Sequence, residues 1–385
     1  MLETFFNNLD LQIILVGALV GISSSLLGTF LVLRKSSMLS DAISHSILLG
    51  IVLTYMIIGQ TTGPLFILGA ALAGVFTVYL TEFLTSTNRV KNDAAIGLVF
   101  PALFSIAVIL INVFARNVHI DIDAVLFGEI GFIWLDTLTL AGYDVPISLV
   151  TMSIIAVINF LFVVTFYKEL KLSTFDDALS SALGYSPTLL FYMLLTLTSV
   201  TAVTAFDAVG AILLIAFIIV PPAAAYLLTD KLWRMMAYGS VISVASSMSG
   251  YYLAVLWDVS IAGMMAVMTG IFLILAFLFS PRYGLIAQEL IRRNQRFDNE
   301  ERALVVHLYN HESSSARAVE NVTSALREHL RWNEVKTREV LMRSLDERLI
   351  ERDGERLMLT PKGRIVAQEI MEPWRGQAAP KKLSH

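Results

Sequence analysis

Residues 28–50 read GTFLVLRKSSMLSDAISHSILLG, and this stretch decides the fold. One long apolar run ends at the basic pair Arg34 and Lys35, and a second apolar run begins at Met38. Runs of roughly 20 apolar residues are long enough to cross the ~30 Å hydrocarbon core of a bilayer as helices. The stretch therefore predicts two consecutive spanning helices joined by a short basic turn.

The rest of the chain repeats this pattern. Of the 385 residues, 56% are hydrophobic and 16% are charged, so most of the apolar surface must face lipid rather than a soluble core. We predict an all-α polytopic membrane protein with about eight to nine transmembrane helices. The candidate spans are 11–33, 38–58, 62–84, 94–114, 146–167, 187–206, 209–228, 233–256 and 260–280.

Basic residues fall on alternate loops and so predict the orientation in the plasma (inner) membrane. Loops rich in Lys and Arg are retained in the cytoplasm, and the opposite loops carry Arg116 as their one basic residue. We therefore expect the N-terminus outside and the C-terminal domain in the cytoplasm. The basic loop residues are Arg34, Lys35, Arg89, Lys91, Lys168, Lys171, Lys231, Arg234 and Arg282.

Charge density changes near Pro281 and divides the chain. We predict a permease domain over 1–285, a linker helix over 286–297 and a small cytoplasmic domain over 298–385. The last segment holds 15 Lys and Arg against 15 Asp and Glu. Its pattern predicts three helices, a hairpin that turns at Asp353-Gly354 and a final helix.

The spacing of Asp41 and His45 is the main chemical signal in the spanning segments. At i and i+4 they share one helix face, roughly 9 and 15 Å beyond the basic turn at ~1.5 Å per residue. A charge at that depth costs at least ~2.5 kcal/mol, so it is expected to face protein and to have a function. The simpler interpretation is a packing pair in which Asp41 accepts a hydrogen bond.

A cation site is the sharper interpretation of this pair. Carboxylate oxygen and imidazole nitrogen together suit manganese, iron(II) or zinc, and the chain has no cysteine to add thiolate ligands. Two ligands are too few, so others must come from water, another helix or a second copy across a two-fold axis. Ser44 and Glu129 are candidates for the pathway, and His119, Asp121 and Asp123 form a looser cluster in a loop.

Residues 173–187, STFDDALSSALGYSP, predict a short amphipathic helix on the cytoplasmic side. A Ser/Thr cap followed by acids is typical of a helix start, and Gly184 is typical of a helix end. A cytoplasmic partner would act on such a helix. Residues 120–135 predict a re-entrant or interfacial helix.

Four stretches resemble the ABC-3 family of manganese, zinc and iron transporter permeases. They are GTFLVLRKSSMLSDAISHSILLG, NDAAIGLVF, DAVLFGEI, and STFDDALSSALG together with AVGAILLIAFIIVPPAAAYLLTDKL. Ser40 stands where the family usually has Gly, and Leu49 where it usually has Pro, but neither departure removes a ligand.

The resemblance implies a homodimeric or pseudo-dimeric permease with a separate ATPase inside and a solute-binding protein outside. It implies that Asp41 and His45 line the cation route, and that segment 173–185 docks on the ATPase. The docking residues would be Phe175, Asp176, Asp177, Ala178, Leu183 and Gly184. Because no GxxxxGK[ST] motif occurs, ATP must be hydrolysed by the partner. The cargo is expected to be manganese, with zinc or iron(II) as alternatives.

Other functions predict different behaviour. An ion-coupled secondary carrier would use Asp41 as its coupling carboxylate and would need no ATPase. A membrane-tethered regulator would draw on the C-terminal domain, where LMLTPKGRIVAQEI is similar to the wing and following helix of winged-helix, metal-responsive repressors. DNA binding is not expected because the domain lacks a basic excess. His307 and His311, at i and i+4, are candidates for a regulatory metal site.

Overall fold

The computed structural model describes residues 8–59, 64–87, 89–114, 128, 130–140, 143–312 and 320–375. The chain divides into two compact units, Met1–Leu285 and Ile286–His385. The helices are α1 (Leu9–Leu33), α2 (Ser37–Ile58), α3 (Pro64–Ser86), α4 (Asn92–Phe114), α5 (Ile147–Thr165), α6 (Tyr167–Phe175), α7 (Asp177–Ala182), α8 (Pro187–Leu228), α9 (Leu232–Trp257), α10 (Ile261–Phe279), α11 (Leu285–His311), α12 (Thr323–His329), α13 (Glu334–Asp346) and α14 (Pro361–Arg375).

Within the described part of the chain, nine helical segments are long and apolar enough to cross a membrane. Their bounds match the predicted spans to within a few residues. Two of them, Pro187–Phe206 and Ala208–Leu228, belong to α8. The polytopic helical fold predicted from the apolar runs is therefore confirmed.

Helix α8 reverses direction at Gly210. Asn159 Nδ2 donates to Ser23 Oγ (2.6 Å) and to Thr201 Oγ1 (2.7 Å), so Thr201 lies beside α1. A Cβ on Gly21 would lie 3.3 Å from Phe217 Cε1, so Phe217 lies at the same level of α1. A straight helix would separate those two α8 residues by ~24 Å. Gly210 allows the reversal because its φ of 72° and ψ of 172° are accessible to glycine.

Small residues let α1 occupy the centre of the membrane unit. A Cβ at Gly28 would overlap the backbone carbonyl of Ile218, and one at Gly21 would lie 2.7 Å from Ser243 Cβ. Helix backbones in membranes approach closely where small residues line the contact. Asn159, fully buried on α5, adds hydrogen bonds to α1 and α8. Packing and polar contacts thus fix α1 against its neighbours.

The segment before α5 contains a hairpin that the sequence pattern did not predict. Strands β1 (Thr137–Leu140) and β2 (Tyr143–Pro146) pair antiparallel, and Thr139 Oγ1 donates to Asp144 Oδ1 at 2.9 Å. The re-entrant helix predicted over 120–135 lies mostly outside the described residues. Its described end is a 3-10 turn over Ile130–Phe132.

The second unit has its own apolar core. Helices α11 to α13, strands β3 (Ile350–Asp353) and β4 (Arg356–Leu359), and α14 follow in the predicted order. Gly354 has a φ of 62°, which confirms the tight turn between the strands. Residues 286–297, predicted as a linker helix, lie in α11, which contains no Gly or Pro and continues to His311. The winged-helix assignment stays a prediction.

Replacing Gly28 by alanine should destabilise the membrane unit. The added methyl group would meet the carbonyl of Ile218, which is backbone and can yield only if α1 and α8 separate. Overpacking of this kind costs typically ~1–3 kcal/mol. We expect a lower Tm for Gly28→Ala in purified, detergent-solubilised protein.

Gly270→Ala in α10 is the matched control, because a Cβ there meets no atom within 4 Å among the described residues. Its better helix propensity should leave the Tm unchanged or raise it. Equal Tm values for Gly28→Ala and the unmodified chain would contradict the close α1–α8 contact.

Candidate functional site

The turn between α1 and α2 positions the candidate cation ligands. Lys35 takes a φ of 57° and ends α1, and Ser36 stands at the N-cap position of α2. Asp41 and His45 then follow in the second and third turns of α2, ~6 and ~12 Å along the helix from Ser37. The basic turn therefore sets how far the two side chains lie from the end of the span.

Asp41 and His45 come together without being bonded to each other. His45 Nε2 lies 3.4 Å from Asp41 Oδ1, longer than an ordinary hydrogen bond. The His45 side chain is 33% exposed and the Asp41 side chain is 42% exposed. Within the described residues no serine hydroxyl donates to Asp41, so a packing pair would depend on its contact with His45. The pair is open on one side of the single chain.

Two aromatic residues on α4 hold the imidazole. The His45 ring stacks on Phe100 at a centroid distance of 5.5 Å and meets Phe104 edge-on at 6.1 Å. Such contacts restrict the ring without using its nitrogens. Sequence reasoning missed both residues. Phe100 ends the NDAAIGLVF stretch, but nothing local indicates that it contacts α2.

Of the two predicted pathway residues, Ser44 and Glu129, only Ser44 lies within the described residues. Ser44 is buried and donates to the Ser40 carbonyl at 2.9 Å, a bond within the helix. Its role on the cation route stays a prediction. Glu129 lies outside the described residues, as do His119, Asp121 and Asp123.

The amphipathic helix predicted over 173–187 is shorter than expected and has a different cap. Ser173 and Thr174 lie in the last turn of α6, and Asp176 caps α7 by accepting from Leu179 N at 2.9 Å. The Ser/Thr cap was therefore wrong: a carboxylate that can accept from a free N–H begins the helix instead. The predicted end is correct, since Gly184 has a φ of 86°.

All six predicted docking residues are exposed in the single chain. The segment also contains Leu179, and its three large apolar side chains are exposed: Phe175 by 63%, Leu179 by 47% and Leu183 by 61%. Contiguous exposed apolar side chains beside acids are typical of an interaction surface. The docking residues are Phe175, Asp176, Asp177, Ala178, Leu183 and Gly184.

Arg34 connects the exposed segment to the helix pair that carries the site. Its Nη2 donates to the Ser173 carbonyl at 2.5 Å and lies 3.8 Å from Asp177 Oδ1. The guanidinium also lies 4.9 Å from the ring centroid of Phe191 on α8. Burial lowers the pKa of Arg34, and Asp177 acts in the opposite direction. Sequence reasoning used Arg34 for orientation alone and missed these contacts.

The histidines of the second unit are in contact. His307 and His311 lie near the end of α11 with ring centroids 4.7 Å apart. The sequence predicted this proximity from their spacing. A regulatory metal role for His307 and His311 stays a prediction.

Known proteins resemble this chain over most of its length. The family model described as the ABC 3 transport family matches residues 7–280. The zinc transport system membrane protein TroD of Treponema pallidum is 44% identical over 364 residues, which cover 94% of this chain and 99% of that protein. The manganese transport system membrane protein MntD of Bacillus subtilis is 45% identical over 285 residues, covering 74% of this chain and 96% of that protein.

A solved structure shares the fold of the membrane unit. PsaBC from Streptococcus pneumoniae, in complex with Fab, aligns with a TM-score of 0.61 and 25% sequence identity. The alignment covers 73% of this chain and 96% of that chain. The family match, the two relatives and this fold agree with one another. The chain belongs to the ABC 3 transport family.

Proposed function

We propose that the chain is the membrane permease subunit of an ATP-driven importer for a divalent transition-metal ion. The observation that carries this proposal is the Asp41–His45 pair on a partly open face of a spanning helix. Permanent exposure of these groups to lipid would be costly. A passing cation, together with a polypeptide that covers the open face, accounts for both residues.

Manganese is the proposed cargo, and zinc is the second candidate. One carboxylate and one imidazole accept either ion. The manganese relative and the zinc relative are nearly equally identical to this chain, and the zinc relative also matches beyond Leu285 into the second unit. The transported ion is substrate rather than a resident cofactor.

The remaining ligands are proposed to come from a second permease copy or a pseudo-symmetric partner. In a single chain Asp41 and His45 supply one oxygen and one nitrogen, and their exposed side faces outward from α2. A two-fold axis along this face would place four such ligands around one ion. The aromatic contacts of His45 would keep its ring in place while the ion passes.

Segment 173–185 is the proposed docking surface for the ATPase. The chain carries no GxxxxGK[ST] motif, so ATP is proposed to bind and be hydrolysed on that separate subunit. Arg34 contacts both α6 and the start of α7, and it stands three residues before α2. A displacement of the docking segment would therefore reach the helix that carries Asp41 and His45.

We place the N-terminus outside and the second unit in the cytoplasm. The basic residues on alternate loops support this orientation. A solute-binding protein would then deliver the ion from outside, and alternating exposure of the site to the two sides would complete import.

Asp41→Ala and His45→Ala should each abolish metal uptake. Losing a direct ligand should weaken binding by at least the roughly 10- to 100-fold typical of supporting groups. The measurement is manganese and zinc accumulation in cells that express the chain with its ATPase and binding protein. Membrane levels and ATPase co-purification should stay unchanged.

Ser46→Ala on the same helix is the control, because its hydroxyl donates to the Ala42 carbonyl at 2.7 Å. It should transport normally. Normal accumulation of both metals in Asp41→Ala or His45→Ala would contradict the cation site, and uptake without the ATPase would favour the ion-coupled carrier.

Arg34→Ala should reduce both ATPase co-purification and uptake. The substitution removes the bond to the Ser173 carbonyl and the contact with Asp177, and hydrogen bonds that involve a charged group contribute ~1.5–3 kcal/mol. Arg282→Ala is the control, because its ion pair with Asp230 is exposed and such pairs contribute little. If Arg34→Ala behaves like Arg282→Ala in both measurements, the coupling role is wrong.

A further inference from the structure

A group of potential metal ligands lies in the second unit. One ligand atom from each of His307, Glu320 and His329 lies within 4.8 Å of the other two. Donors on one ion are separated by at most about twice the metal–ligand distance, or ~4 Å. Sub-ångström adjustments would therefore bring the three onto a common ion.

The packing of this unit brings the three residues together. His307 lies on α11, His329 is the last residue of α12, and Glu320 precedes α12 by three residues. Leu308 on α11 and Leu326 on α12 belong to one buried apolar cluster. The two helices are thus fixed by their core before any ion binds, which lowers the entropic cost of assembling the ligands.

The carboxylate of Glu320 shows a feature that an ion would explain. Its Oε2 is buried and makes no hydrogen bond of acceptable geometry among the described residues, although His329 Nδ1 lies 2.8 Å away. A buried carboxylate oxygen without a hydrogen bond is costly. An ion pair with protonated His329 is the simpler alternative, and in it His307 Nε2 contacts only the backbone carbonyl of Glu320, at 3.4 Å, and not its carboxylate.

His307 is partly buried beside the other two histidines of this unit. Burial lowers its pKa, the nearby His311 and His329 lower it further, and the Glu320 carbonyl opposes them. The His307 ring also lies 5.6 Å from the His329 ring, centroid to centroid.

We infer that His307, Glu320 and His329 form a binding site for a divalent first-row transition-metal ion in the second unit. Two imidazoles and one carboxylate are a donor set typical of zinc sites that keep a fourth position open. Zinc should bind more tightly than manganese, because affinity at such donors rises in that order. A bound ion would clamp the end of α11 to the end of α12.

The site has a consequence for transport that rests on the proposed function. On the proposed orientation the second unit lies in the cytoplasm, where imported ions arrive. The fraction of sites that hold an ion would therefore depend on the cytoplasmic concentration of that ion. The binding itself does not depend on that function, since its ligands lie in a different unit from Asp41 and His45.

The test uses full-length chain in detergent, without an affinity tag, carrying Asp41→Ala to remove the proposed transport ligand. Titration calorimetry with Zn²⁺ should show one ion bound per chain, and Zn²⁺ should raise the Tm. Adding Glu320→Gln or His329→Gln should weaken binding by at least roughly 10- to 100-fold and remove the Zn²⁺-dependent rise in Tm. Glu328→Gln, an exposed neighbour on α12, is the matched control and should bind normally.

The Tm without metal reports whether each variant folds. If Glu320→Gln is unstable, His329→Gln tests the site instead, because the His329 side chain is partly exposed (42%). No Zn²⁺ binding by the Asp41→Ala chain, or equal binding in His329→Gln, would overturn the site. Normal uptake by Asp41→Ala would contradict the transport proposal and leave this site standing.

Discussion

The cost of placing a carboxylate and an imidazole at membrane depth constrains the rest of this structure. Asp41 and His45 occupy one face of α2, and the single chain covers them only in part. Charged and polar groups at this depth are tolerated where protein or a water-filled cavity faces them. The open face therefore requires a further polypeptide or an ion. In the proposed transporter a second permease chain is the polypeptide and the transported cation is the ion.

The same helix pair connects the site to the docking surface. Helix α1 is held in the centre of the bundle by close backbone contacts at Gly28 and by the buried Asn159. Its last turn leads to Arg34, which holds the exposed segment by backbone and carboxylate contacts. Because α2 begins three residues later, the site and the docking segment share a short, well-packed connection. This is the physical basis of the proposed coupling.

Local patterns predicted much of this fold, but contacts between distant residues were beyond them. Apolar runs identified the spans, i and i+4 spacing placed Asp41 beside His45, and glycine predicted the end at Gly184. The contacts of Arg34 with the docking segment join residues about 140 positions apart in the chain, and no periodicity encodes such a contact. Phe100 was missed for the same reason, and Glu320 and His329 were missed because their proximity to His307 depends on packing. The cap of α7 was wrong because serine, threonine and aspartate all favour that position.

The most direct test is a structure of the complete transporter, with its ATPase, crystallised with manganese and measured at the manganese absorption edge. We expect an anomalous difference peak within bonding distance of both the Asp41 carboxylate and His45 Nε2, close to a neighbouring permease chain. The cation site would be contradicted by a manganese peak in the membrane-spanning region that contacts neither side chain. It would also be contradicted if the face of α2 that carries Asp41 and His45 contacts lipid instead of protein.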